Sequence, residues 1–180
     1  MRKWRKVYPT KEQVELSIIM MNKSLSVNVI DLFPKDEISM YMQTEITAFI
    51  WICGAEARGE SISEIASVAE VLQNRFFSRR AYFGLNYREI IFKSNCKGVF
   101  QFSPASQLNS QHRWHEKEPM SSWLKVGNVV VPYYLNQLKS SDPNMFYFHS
   151  KDIKKPSWAE GLEIARDYPN MIFYREKSDS

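Results

Sequence analysis

The segment Gly54-Ala55-Glu56-Ala57-Arg58-Gly59-Glu60 sets two carboxylates and a guanidinium between two helical runs. Before it, Ile46 to Cys53 (ITAFIWIC) is almost wholly apolar; after it, Ser61 opens an amphipathic stretch. A Glu at the end of a buried helix lies where water is scarce and where the helix dipole is negative. Both disfavour ionisation and raise the pKa, as a general acid working near neutral pH requires. Glu56 is therefore the candidate proton donor. Glu60 would share its helical face if the helix continued, but Gly59 and the helix start at Ser61 argue that it stops. Glu60 is then left either to accept backbone N–H groups at the next N-terminus or to serve as a second carboxylate. Arg58 either pairs with a nearby carboxylate or faces solvent. The plain alternative for the whole segment is a charged surface turn.

The elements that must hold this segment are legible from caps and periodicity. Residues 1–40 read as a helical extension, with Thr10 and Gln13 at capping-box spacing and a stripe of Val14, Ile18, Met21 and Leu25, closed by Phe33-Pro34. A helix from about Asp36 to Gly54 delivers Glu56. Ser61 and Glu64 form a second capping box, and Ile65, Val68, Ala69, Leu72 and Phe76 recur on one face of a helix ending near Ser78-Arg79-Arg80. Tyr87 to Phe92 predicts a short helix, Ser94 to Asn109 a loop, and Trp123 to Leu138 a longer helix that Pro132 kinks or restarts. The runs Met145–Phe148 and Met171–Tyr174 predict two paired strands, with a helical turn over Trp158 to Ala165. The expected fold class is α+β, mainly helical, with a small antiparallel sheet in a domain spanning residues 41–180.

A chain of 180 residues builds a core without staples, and its 44% apolar and 24% charged content is that of an ordinary globular protein. The net charge of +4, spread along the chain, favours anionic partners in general. Two cysteines exclude a disulfide-dense scaffold; Cys53 reads as a buried hydrophobe, Cys96 lies in a loop, and a bridge between them has no support. No apolar run is long enough to span a membrane, so stable membrane insertion is not expected. The basic start is followed by no cleavage site of the secretory type. A target outside the cytoplasm would then be reached by lysis, phage delivery or a secretion machine.

Five short segments, in order and at compatible spacing, resemble the SleB-type cell wall hydrolases, the spore-cortex-lytic enzymes and their phage relatives. They are Gly54–Glu60, Val71-Leu72-Gln73-Asn74-Arg75, Gln101-Phe102-Ser103, Phe146-Tyr147-Phe148-His149 with Pro156-Ser157-Trp158-Ala159, and Ile172-Phe173-Tyr174. The resemblance covers about two thirds of the chain and omits the first ~40 residues. It implies a lysozyme-like fold and cleavage of the peptidoglycan glycan strand between N-acetylmuramic acid and N-acetylglucosamine, commonly by lytic transglycosylation. The family's catalytic acid maps onto Glu56. The chain departs from the family in having Cys53-Gly54-Ala55 where Tyr-Gly often precedes that Glu, and it carries no matching wall-anchoring repeat.

Glycosidic cleavage passes through an oxocarbenium-like state and needs a proton on the leaving oxygen. One well-placed acid without a clear carboxylate partner fits transglycosylation, in which the sugar's own 6-hydroxyl replaces water. Hydrolysis on the same fold is the alternative, and a non-catalytic module that binds wall glycan or an inhibitor is another. The resemblance points Asn74 at the turn that carries Glu56. Gln101 and Ser103, beside Phe100 and Phe102, suit an N-acetyl sugar, or else form a packed loop. Tyr147 and His149 alternate onto one strand face and either line the cleft or, for His149, satisfy the core. His112, His115 and Glu116 have poor zinc spacing, and neither metal nor cofactor is expected. The expected partners are peptidoglycan and an immunity or inhibitor protein; no nucleic-acid motif is present. An endolysin and an antibacterial effector would share all these features.

Overall fold

The computed structural model describes residues 45–57, 60–96, 98–106 and 120–177. The 1–40 extension, Arg58, His112, His115 and Glu116 lie outside them. Within them the chain is α+β, with five helices and one three-stranded antiparallel sheet.

Helix α1 (Glu45–Glu56) is the central element. Every side chain from Ala48 to Cys53 is at most 5% exposed, because a helix apolar on all sides must be covered on all sides. Helix α2 (Ile62–Ser78) starts at the predicted box: Ser61 Oγ accepts from Glu64 N, and Glu64 Oε2 accepts from Ser61 N at 3.1 Å. It ends at Arg79 in the left-handed region, φ 55°. Helix α3 (Tyr87–Phe92) is capped by Asn86, whose Oδ1 accepts from Glu89 N at 2.8 Å. Gly84 precedes it at φ 122°, where a Cβ would stand 2.7 Å from Ile90 N, so only glycine fits this approach.

The expected loop from Ser94 contains a short helix, α4 (Ser103–Ser106), with Pro104 in its first turn, where a missing N–H does no harm. Helix α5 (Met120–Tyr134) runs through Pro132 and stops two residues later. The Pro132 carbonyl accepts from Gln137 and Leu138, and Asn136 turns the chain at φ 58°.

Strand β1 (Met145–Ser150) pairs with β3 (Met171–Arg175), as the aromatic runs predicted. A third strand, β2 (Glu163–Asp167), flanks β3 on its other side, giving the order β1-β3-β2. This corrects the predicted helical turn over Trp158 to Ala165, of which only a 3-10 turn at Ser157–Ala159 exists. The Glu-Ile-Ala-Arg-Asp stretch has little β-favouring character of its own; pairing with β3 makes it a strand. Both edge strands are irregular. Phe146 is an extra residue between the Met145 and Tyr147 pairings, and Ala165 another between those of Ile164 and Arg166. The first bulge lets Met145 and Phe146 both turn inward, 0% and 3% exposed.

Candidate active site

Glu56 is the last residue of α1. Burial raises its carboxyl to a pKa of about 7, while the Arg75 charge and a hydrogen bond from the Ser103 backbone pull the other way. Glu56 as a whole residue is only part-buried. The carboxyl is thus desolvated by the protein around it, on a residue that is not wholly enclosed. One turn earlier, burial, with a further contribution from Glu56, holds the Cys53 thiol well above its ordinary range. Among the described residues, Arg75 is the charged group acting on Glu56, and no second carboxylate does so.

Arg75 is the residue that sequence reasoning missed. It is 6% exposed, and its guanidinium carbon lies 4.9 Å from the ring centres of both Phe83 and Phe102. Its Nε donates to the Phe146 carbonyl at 2.9 Å and its Nη1 to Gln101 Oε1 at 3.1 Å. Phe146 is the bulged residue of β1, so its carbonyl is free of the ladder and open to a side chain. Burial lowers the Arg75 pKa to about 10, which leaves the group fully charged at neutral pH. A signal was present: Arg75 lies three residues beyond Leu72, on the apolar stripe of α2, where a charge must find partners.

The other predicted residues take different positions. Asn74 is buried and its Nδ2 donates to the carbonyls of Asp142 and Met145, both at 2.8 Å. It therefore fixes the start of β1 and not the Glu56 turn; its neighbour Arg75 reaches the site instead. Glu60 does not cap α2, since Ser61 and Glu64 do that. Its Oε2 accepts from Asn170 Nδ2 at 2.6 Å, tying the β2–β3 turn to the chain beyond Glu56. Gln101 is exposed, but both ends of its amide are engaged, since its Nε2 donates to the Tyr82 carbonyl at 2.9 Å. It orients Arg75, and beside it opens a hollow of about 400 Å³ lined by Tyr82, Lys93, Asn95, Val99 and Phe100. Phe102, 1% exposed, is a core plug and offers no open face to a sugar. Ser103 meets Glu56 through its backbone.

Tyr147 and His149 do share a face, both against the Trp158 ring. The Tyr147 ring lies 6.0 Å from the Arg75 guanidinium, and its hydroxyl donates to Glu176 Oε1 at 3.3 Å. His149 is buried with both nitrogens bonded: Nδ1 to the Ser150 carbonyl at 2.7 Å and Nε2 to the Tyr174 hydroxyl at 2.9 Å. A carbonyl only accepts, so Nδ1 carries the proton, and in the neutral ring Nε2 accepts from Tyr174. It is a supporting residue, not a lining one.

A second buried charge, Glu70, also escaped prediction. Arg166 Nη2 donates to both its oxygens at 3.0 and 2.9 Å, and Ser140 Oγ and Ser141 N add donors at 2.9 and 3.0 Å. This cluster fastens α2 to β2 and to the connection before β1. Cys53 is buried, Cys96 is exposed, and both are free thiols. Compared with families of known proteins, with curated proteins and with solved structures, the chain finds no match.

Proposed function

We propose that this protein cleaves the glycan strand of peptidoglycan between N-acetylmuramic acid and N-acetylglucosamine, as a lytic transglycosylase on a lysozyme-like fold. The observation carrying the proposal is the Glu56 carboxyl, desolvated to a pKa of about 7 on a part-buried residue, with the buried Arg75 as the charged group acting on it among the described residues. The motif resemblance selects the same residue.

In this reading the protonated Glu56 gives its proton to the glycosidic oxygen as the bond to the anomeric carbon breaks. The leaving sugar departs as an alcohol, and positive charge builds on the sugar that remains. The 6-hydroxyl of that sugar then attacks the anomeric carbon, and the Glu56 carboxylate takes its proton. A 1,6-anhydro end forms and Glu56 returns to its acid form, so no water is consumed. Arg75 stabilises the carboxylate in the interval between the two proton transfers. A pKa near 7 suits both halves, because the group must give and take a proton at similar ease.

Digestion of purified cell walls by the full chain, read by mass spectrometry, tests this. Anhydro-muropeptides support the proposal. Reducing ends would replace transglycosylation by hydrolysis on the same site, and no release from walls of any chemotype would overturn the enzymatic reading. Glu56→Gln should lower release by roughly 10²- to 10⁴-fold.

A further inference from the structure

Trp158 is 45% exposed, on the 3-10 turn after Pro156. It is not a loose surface ring. Its centre lies 5.8 Å from Tyr147, 6.1 Å from His149 and 5.8 Å from Tyr174, with the last two meeting it nearly edge-on at 74° and 85°. His149 and Tyr174 are themselves fixed by the hydrogen bond between them. Three rings of the sheet thus hold the indole in one orientation while nearly half its surface faces water.

Neighbouring side chains lead from this indole to Arg75, the cation that acts on Glu56. Trp158 leans on Tyr147, Tyr147 lies 6.0 Å from the Arg75 guanidinium, and Arg75 acts electrostatically on Glu56. The segment leading to Trp158 is basic, with Lys154 and Lys155 both exposed. A fixed, half-open indole offers a flat apolar face suited to the C–H face of a pyranose, and neighbouring cations suit carboxylates.

We infer that Trp158 is the stacking platform of a distal glycan subsite, with Lys154 and Lys155 reaching the carboxylates of the peptide stem borne on the same strand. This rests on the glycan-cleaving reading above and adds a place where the strand is held away from the scissile bond. The tryptophan is a binding residue and takes no part in proton transfer.

The test is calorimetric titration of the full-length Glu56→Gln chain with two probes, a chitooligosaccharide and uncrosslinked peptidoglycan strands bearing stems. Trp158→Ala on that background, measured well below its unfolding midpoint, should weaken both probes about tenfold, or roughly 1.4 kcal/mol. Trp158→Leu, which keeps an apolar side chain without a ring, should lose as much. Lys154→Gln with Lys155→Gln should weaken only the stem-bearing strands. Unchanged affinity for both probes in the two Trp158 variants would overturn the subsite, even if the unaltered protein digests walls. No binding of either probe, together with no digestion, would bring down the subsite and the function together.

Discussion

In the proposed reaction two ionisable residues carry the chemistry, and their pKa directions make it testable. Glu56 must be protonated to act as the acid, so kcat/KM on wall glycan should fall as pH rises through about 7. The same shift acts on stability. Its folded pKa of about 7 lies above the ordinary 4.5, so the native state binds this proton more tightly than the unfolded chain. The contribution is complete below about pH 4.5 and lost as pH rises through about 7, a span on the order of 3 kcal/mol. Glu56→Gln should therefore be more stable than the unaltered protein above pH 7, as urea unfolding at several pH values would show. Arg75 works in the opposite sense. Arg75→Gln removes a cation that favours the Glu56 carboxylate, so the alkaline limb of the pH–rate profile should move upward, and the lost ring and carbonyl contacts should destabilise the fold by about 2 kcal/mol. A merely structural Arg75 would lower stability and leave the limb in place. Glu56 was legible because an acid closing an apolar helix is a local pattern. Asn74 was misassigned because its carbonyl partners, Asp142 and Met145, lie at and just before the start of a strand about seventy residues away, a distance no periodicity spans.

Among the elements, α2 does the most joining. One face fills the core with Ile65, Val68 and Leu72, while Glu70, Gln73, Asn74 and Arg75 bind the chain leading into β1 and β1 itself. Its first turn depends on Ser61, and Ser61→Ala should cost about 1 kcal/mol in thermal or urea unfolding. Arg166→Ala leaves the Glu70 carboxylate buried without its guanidinium and should cost about 3 kcal/mol. The paired change Glu70→Gln with Arg166→Met should cost less, since no orphan charge remains. The start of α2 was readable from its capping box, and β1 with β3 from their aromatic density. The strand β2 was not, because its bulge at Ala165 and its Arg166 contact answer to neighbours that the local sequence does not reveal.

On the scale of the whole molecule, α1 runs through the centre of the core, and the sheet lies against α2. Among the described residues no helix is long and apolar enough to cross a membrane. The net charge of +4 predicts that attachment to anionic walls weakens as salt rises, measurable by co-sedimentation with sacculi. Glu56→Gln should show the same salt dependence as the unaltered protein, because long-range attraction does not pass through the acid. The 0% exposure of Cys53, set one turn before Glu56, gives the central helix a built-in clock. An alkylating reagent should modify Cys96 at once and reach Cys53 only when α1 breathes. The slow phase of labelling would then report how often α1 opens, and on the proposed function glycan bound at its end should lengthen that interval.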